Sequence, residues 1–315
     1  MYFCAITGLI RGKKMKKIRI GTRGSELALW QANHIAGLIG VDKTELIVIK
    51  TEGDRVQNVS FVKMEGKGFF TKEIEEALLD KRIDLAVHSL KDLPTEDVRG
   101  LKIAAVPERA DFRDMLIMHS DVYRQCDGLC VNQGSIVGTS SMRRLAQLKT
   151  LDSSLRVEPL RGNVNTRLRK LKEREYDAIV MASAGVERIG LDISEFRTQL
   201  LQPHIFLPAP AQGALGLQVR EDDFETLSVI SRLTDSLTET AVRAERSFLR
   251  AFGGGCHVPL GALASVKQGL ITLQGIVASP DGTFTARAEV QGSDPELLGS
   301  ELALIIKAKG AEKYI

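Results

Sequence analysis

Ser135-Ile-Val-Gly-Thr-Ser-Ser-Met-Arg-Arg-Leu-Ala-Gln-Leu-Lys-Thr-Leu151 reads as a short strand, Ser135–Thr139, running through small hydroxyl residues into a helix, Ser141–Leu151. The same join recurs on both sides of it. Arg156–Leu160 leads through Arg161 and Gly162 into a helix over Asn163–Glu175, and far upstream Ile18–Thr22 leads through Arg23 and Ser25 into Leu27–Ile39. Strands that alternate with amphipathic helices are the rhythm of a mostly parallel sheet flanked by helices.

Working outward, a first set of strands falls at Ile18–Thr22, Glu45–Lys50, Leu85–Ser89 and Ile103–Val106, with a helix over Thr71–Asp80 whose Ile74, Ala77 and Leu78 share one face. A second set falls at Met115–His119, Ser135–Thr139, Arg156–Leu160 and Ala178–Ala182. Leu207-Pro-Ala-Pro-Ala211 breaks the pattern as an interdomain crossing would, ahead of a strand-like Ala214–Arg220. Residues 223–251 read as helical. Beyond Gly253-Gly254-Gly255 the chain alternates through Val258–Val266, Leu270–Ser279 and Thr283–Gln291, turns at Asp281-Gly282, and closes with a helix from Pro295 to Lys309. The expected organisation is two α/β lobes and a small α+β C-terminal domain. Residues 16–111 with 212–231 form lobe 1, 112–211 form lobe 2, 232–315 form the third unit, and 1–15 are an extension outside the fold.

Composition narrows the function. The 315 residues carry 43 Lys and Arg against 40 Asp and Glu, a net charge of +3, which excludes a uniformly basic nucleic-acid coat. Four cysteines are too few for a disulfide scaffold. Cys126 and Cys130 have only His119 nearby, which argues against a structural zinc site, and no metal is expected. No apolar run approaches the eighteen or so residues needed to cross a bilayer, so a soluble protein is expected. Tyr2–Ile10 is apolar, but its basic residues follow it, the reverse of a signal peptide's charge order.

The near-neutral total conceals sorting. Thr139 to Arg174 holds ten basic residues against three acidic ones. Arg169, Lys170, Lys172 and Arg174 suit a solvated helix face. Arg143 and Arg144 instead occupy the first turn of their helix, where a cation opposes the dipole and a bound anion would resolve the conflict. Arg161 with Gly162 and Arg167, and Arg23 with Ser25, repeat that arrangement where ligands gather in open α/β sheets. Planar arginine forks at three such junctions suit a ligand bearing several carboxylates, and phosphate stays open on this ground. Nucleic acid is disfavoured because no aromatic lies between Thr139 and Lys172 to stack on bases.

Three further stretches carry chemistry. Val87-His-Ser-Leu-Lys-Asp-Leu-Pro94 ends an apolar strand with Lys91 beside Asp92, a carboxylate placed to face a developing cation. Lys63-Met-Glu-Gly-Lys-Gly68 reads either as a lid bearing Lys63 and Lys67 or as an ordinary solvated loop. Gly253-Gly-Gly-Cys-His-Val-Pro259 leaves the Cys256 thiol unshielded, as a nucleophile or attachment point requires, whereas a Cys256–His257 dyad is opposed by the alternation of an extended chain.

Taken together, Thr22-Arg-Gly-Ser-Glu-Leu-Ala-Leu-Trp-Gln-Ala32, Val87–Pro94, Gly138–Arg144, Leu160–Arg167, Pro210-Ala-Gln-Gly213 and Gly254–Pro259 resemble, in order and spacing, the porphobilinogen deaminases, also called hydroxymethylbilane synthases. The resemblance runs from about Ile18 to the C-terminus. It implies two α/β lobes like those of periplasmic binding proteins plus a small cofactor domain. The implied transferase condenses four porphobilinogens head to tail, with loss of ammonia, to hydroxymethylbilane on one dipyrromethane cofactor held by a thioether at Cys256.

By the same resemblance Asp92 is the catalytic carboxylate. Ser89, Lys91, Thr139, Ser140, Ser141, Arg143, Arg144, Arg161, Gly162, Arg167 and Arg188 hold the cofactor, and Arg23, Ser25, Lys63 and Lys67 bind substrate. It further implies a cytoplasmic monomer whose partners are porphobilinogen and the growing oligopyrrole, without nucleic acid or membrane. Residues 1–14 have no counterpart in the family, Ser120–Gln133 does not resemble it closely, and Thr283–Gln291 and the short tail after Lys309 match it only in pattern. On residues alone, a two-lobed anion-binding protein without catalysis remains an alternative, though it leaves the Gly-Gly-Gly-Cys segment unexplained.

Overall fold

The computed structural model describes residues 17–51, 71–254 and 258–314. Lys63, Lys67, Cys256 and the expected extension, 1–15, lie outside the described residues. In chain order the first elements are β1 (Ile18–Thr22), α1 (Glu26–Ile39), β2 (Thr44–Val48), α2 (Lys72–Leu79), β3 (Leu85–Ser89) and β4 (Leu101–Ala105). Then come β5 (Asp114–Met118), β6 (Ile136–Gly138), α3 (Met142–Leu151), β7 (Arg156–Glu158), α4 (Val164–Lys172), β8 (Ala178–Ala182), α5 (Ser183–Arg188) and β9 (Arg197–Leu201). The chain continues with β10 (Leu215–Arg220), α6 (Phe224–Ile230), α7 (Ser236–Arg250), β11 (Leu260–Lys267), β12 (Leu270–Ala278), β13 (Thr285–Gly292) and α8 (Pro295–Ala308).

These elements build three sheets, ordered β2-β1-β3-β10-β4, β7-β6-β8-β5-β9 and β11-β12-β13. The first two give the α/β lobes and the third gives the small α+β unit, as the sequence predicts. The lobe sheets are mixed, however. β1 pairs parallel with β2 and β3, while β10 lies antiparallel between β3 and β4. β6 pairs parallel with β7 and β8, while β5 lies antiparallel between β8 and β9. The physical reason is the double crossing. A strand arriving from the other lobe enters at the cleft end of the sheet, where its parallel neighbours finish, and so must run against them.

Both lobe sheets are covered on two faces, so successive residues of a strand feed different cores. Leu116 and Met118 pack with Val137, Leu148 and Val180 on one face, and Met115 and Ile117 pack with Leu160, Leu168 and Ile179 on the other. In lobe 1, Ile20, Ile35, Leu85 and Leu217 share one core, and Ile74, Leu78, Ile83 and Leu101 share the opposite one. Truncating such a side chain to Ala costs about 2–5 kcal/mol. In the third unit, α7 and α8 cover one antiparallel sheet around Phe248, Leu273, Leu302 and Ile306.

One buried carboxylate ties the three parts together. Glu245 on α7 is fully buried and takes both Nη groups of Arg109, at 2.7 and 3.0 Å. It also accepts the backbone N–H of Ala211 in the return crossing and of Ala264 on β11. Arg109 Nε donates to the Gln212 carbonyl at 2.8 Å. The two crossings and the C-terminal unit are thus pinned at one point beside the cleft.

Candidate active site

On lobe 1 the site is built at the carboxyl ends of β1 and β3. Ser25 caps α1 by accepting the Ala28 N–H, which fixes the loop carrying Arg23. Ser89 Oγ accepts from Gln31 Nε2 at 2.8 Å. Leu90–Asp92 form a single 3-10 turn directly after β3. Arg23, Ser25, Gln31, Ser89 and Asp92 line one cavity of about 110 Å³. A larger cavity of about 400 Å³ opens at the far end of the same sheet, beside Lys17, Lys43 and Asp222, and touches none of the expected site residues. His88, next to Ser89, is buried on Gln218 at 3.0 Å; burial lowers its pKa to about 4, so it is a neutral structural imidazole.

The turn carrying Asp92 is held from the third unit. Arg246 on α7 is buried and donates to the carbonyls of Leu93 at 2.9 Å, Pro94 at 2.7 Å and Leu90 at 3.3 Å. Burial lowers this guanidinium to about 10, with Asp97 partly opposing the shift. Gly254, at φ +70°, lies so close to the next turn that a Cβ would meet Thr95 Oγ1 at 2.3 Å. The segment that leads to Cys256 therefore rests on the segment that follows Asp92.

On lobe 2 the strand-to-helix joins form as the sequence predicts. Ser141 caps α3 by accepting the Arg144 N–H, Thr139 Oγ1 accepts the Ser141 N–H, and Ser140 Oγ donates to the Leu160 carbonyl at 2.8 Å. Asn163 caps α4, and Arg161 is half-buried on the loop before it. Gly162, at φ +109°, has Thr166 Cγ2 only 2.5 Å from where a Cβ would stand, so no other residue fits there without displacement.

The conflict between two first-turn arginines and the α3 dipole is resolved differently from the sequence expectation. The counter-charge comes from within the protein. Asp114, fully buried at the start of β5, accepts Arg143 Nη1 at 2.7 Å and Arg144 Nε and Nη2 at 3.0 and 2.7 Å. Arg143 also donates to the Leu207 carbonyl, and Arg144 to that of Val180. Burial alone would raise the Asp114 pKa, but Arg143, Arg144 and Lys91 hold it well below the usual carboxylate range.

The two walls face each other across the crossings. Lys91 Nζ reaches Gln212 Oε1 at 3.4 Å, and Gln212 Nε2 donates to Asp114 at 3.1 Å, so one hinge side chain links both lobes. Lys91 is ringed by protein while still touched by solvent, and burial lowers it to about 8, with Asp92 opposing the shift and Arg144 adding to it. Arg167 donates to the Gly162 carbonyl and is lowered to about 10, first by burial and then by Arg144, against the pull of Asp92. Arg188 donates to the Gly213 carbonyl at 2.7 Å and lies over the ring of Trp30, joining α5 to α1 across the lobes.

Lys91 thus comes within electrostatic reach of Arg143 and Arg144, and Asp92 within that of Arg167, with Arg23, Ser25 and Ser89 lining the lobe 1 side and Thr139, Ser140, Ser141 and Gly162 on the joins that carry the arginines. Asp114, Glu245 and Arg246 escaped the sequence reading, which held Gln212 only within the motif Pro210–Gly213 and gave it no role. Two of them left a signal. Asp114 is a carboxylate opening an apolar strand, and Glu245 falls on the apolar stripe of its helix between Ala241 and Phe248.

The fold and site define a two-lobed α/β protein whose cleft is rich in cations around one solvent-facing carboxylate. Sequence models of the family match this chain twice, as "Porphobilinogen deaminase, dipyromethane cofactor binding domain" over residues 18–228 and "Porphobilinogen deaminase, C-terminal domain" over residues 239–308. Porphobilinogen deaminase of Syntrophomonas wolfei is 44% identical over 302 residues, covering 94% of this chain and 97% of its own. That of Maridesulfovibrio salexigens is 45% identical over 307 residues, covering 96% and 98%. Among solved structures, an arginine transport-system periplasmic binding protein from Legionella pneumophila aligns with 69% of this chain and 92% of its own at 12% identity and a TM-score of 0.40. The chain belongs to the porphobilinogen deaminase family.

The cleft fits the family's cofactor on its own chemistry. Lys91, Arg143, Arg144 and Arg167 share the walls with two carboxylates, Asp92 and Asp114. Arg143 Nε is buried with no hydrogen-bond partner. Such a site is short of negative charge, which a group bearing several carboxylates supplies.

Proposed function

We propose that this cleft condenses porphobilinogen units head to tail, with release of ammonia, and that Asp92 is its catalytic carboxylate. The observation that carries the reading is the placement of Asp92 on a turn clamped by Arg246, opposite a wall of arginines. Arg23, Arg143, Arg144, Arg161, Arg167 and Arg188 hold acetate and propionate groups, and the hydroxyls of Ser25, Ser89, Thr139, Ser140 and Ser141 add hydrogen bonds. With the carboxylates held, Asp92 would accept hydrogen bonds from pyrrole N–H groups. Its negative charge stabilises the positive charge that develops as the aminomethyl nitrogen departs and again as the carbon–carbon bond forms. Cys256 would hold the dipyrromethane, which would supply the pyrrole carbon that accepts the first unit.

The same reading divides the chain into 16–111 with 212–231, 112–211 and 232–315, and gives Lys63 and Lys67 to the lid. It makes the protein a cytoplasmic monomer acting on free porphobilinogen rather than on nucleic acid or a membrane. Mass spectrometry of freshly purified, active protein tests it. The Cys256 peptide should carry a covalent excess of two linked pyrrole units, and an unmodified Cys256 in active protein overturns the attachment.

A further inference from the structure

We propose that Cys126 and Cys130 form a reversible dithiol–disulfide site beside the edge strand β9 of lobe 2, oxidised by a low-molecular-weight disulfide. Their sulfurs lie 3.9 Å apart in Cys126-Asp-Gly-Leu-Cys130, and both thiols are half-buried. The turn between them is built rather than loose. Cys126 Sγ donates to the Leu129 carbonyl at 2.9 Å, and Cys130 Sγ donates to the Cys126 carbonyl at 3.4 Å. Gln199 on β9 grips the turn twice, donating to the Gly128 carbonyl at 2.7 Å and accepting the Cys130 N–H at 2.9 Å. Arg124 holds the Val131 carbonyl at 2.6 Å, and the buried Leu129 and Val131 anchor the turn in the lobe 2 core.

The backbone is therefore already ordered with the sulfurs side by side. A disulfide needs them at about 2.05 Å, so an approach of roughly 2 Å remains, within reach of side-chain rotation. The reaction balances as thiol–disulfide exchange. One cysteine thiolate attacks the external disulfide and expels a thiolate, and the second attacks the mixed disulfide and expels the other. Two protein thiols become one disulfide, and one external disulfide becomes two thiols. Burial pushes the Cys130 thiol up, which makes it the poorer first attacker.

Position separates this site from catalysis. Asp114, at the cleft, opens β5, whereas the turn is held from the edge strand β9 by Gln199, which pairs with Leu116, and none of the turn's hydrogen bonds goes to an expected site residue. No third ligand joins the two sulfurs among the described residues, which favours exchange chemistry over a metal clamp.

The test equilibrates the full-length protein, with its cofactor attached, in glutathione buffers of stepped oxidation, followed by acid quench, alkylation and peptide mass analysis. The expected product is an internal Cys126–Cys130 disulfide that outnumbers mixed glutathione adducts at these positions at least tenfold and reverses with dithiothreitol. Turnover should stay within twofold of the reduced protein. In C126S and C130S variants the remaining cysteine should instead accumulate the glutathione adduct. Mixed adducts or higher oxides as the main wild-type product would overturn the proposal, as would pairing with Cys4 or Cys256. Loss of turnover on forming the 126–130 bridge would overturn its independence from the cleft.

Discussion

Replacing Asp114 by Asn isolates the charge that holds the lobe 2 wall together. Asp114 is 0% exposed and receives four hydrogen bonds, one from Arg143, two from Arg144 and one from Gln212. Asparagine keeps the shape but removes the charge and turns an amide NH2 group towards a guanidinium. Two arginines, 4% and 6% exposed, would then stand next to each other without their counter-ion. Removing one partner of a buried pair costs about 3–5 kcal/mol, because the remaining charge stays out of water.

Equilibrium urea unfolding at pH 7, followed by far-UV circular dichroism, should show that loss. Glu173→Gln, which breaks the exposed Arg169–Glu173 pair, should leave the curve unchanged. The pH dependence checks the cause. The folded pKa of Asp114 lies below its unfolded value of about 3.9, so its contribution is complete above that value and is lost as the pH falls below it. The difference between wild type and variant should therefore stay flat from pH 8 to 5 and shrink below about pH 4. A loss under about 1 kcal/mol at pH 7, or one that fades between pH 8 and 5, would refute the reasoning.

Asp92→Ala, which removes an exposed side chain from the cleft, should leave the unfolding curve unchanged while kcat falls about 100–1,000-fold; retained turnover would remove Asp92 from the charge-stabilising role. Arg246→Met should lower kcat more than it raises KM, because the turn bearing Asp92 loses the three hydrogen bonds that Arg246 gives it, and Arg246→Lys should recover part of the loss. A variant that melts earlier yet turns over normally would make Arg246 a purely structural contact. Lys91, with a pKa of about 8, loses its charge as the pH rises through that value, so KM for the carboxylated substrate should climb between pH 7 and 9. Lys91→Met, uncharged throughout, should give a flatter profile in steady-state assays.

The sequence by itself determined the local pieces. The strands Ile18–Thr22, Leu85–Ser89 and Ala178–Ala182 lie where composition places them, since runs of apolar and β-branched residues specify extended chain without outside help. The strand-to-helix joins at Ser25, Ser141 and Asn163 were equally legible, and in the structure each of these side chains caps its helix by accepting a backbone N–H three residues on. The site motifs were readable for the same reason. Each is a strand end joined to a helix start, and every part of it lies within a few residues.

What depended on distant residues was not legible. The antiparallel course of β5 and β10 follows from the chain crossing between lobes, and β9 gave no signal strong enough to be read. Asp114 meets Arg143 and Arg144 across 29 and 30 positions, and Arg246 meets Leu93 across 153. Residue types declared the cations of α3, but only the tertiary structure decided that a buried carboxylate answers them. It also decided that the helix preceding the cofactor segment holds the turn of Asp92. Local periodicity carries no information about which charges meet across the fold, because that pairing is set by the packing of whole elements.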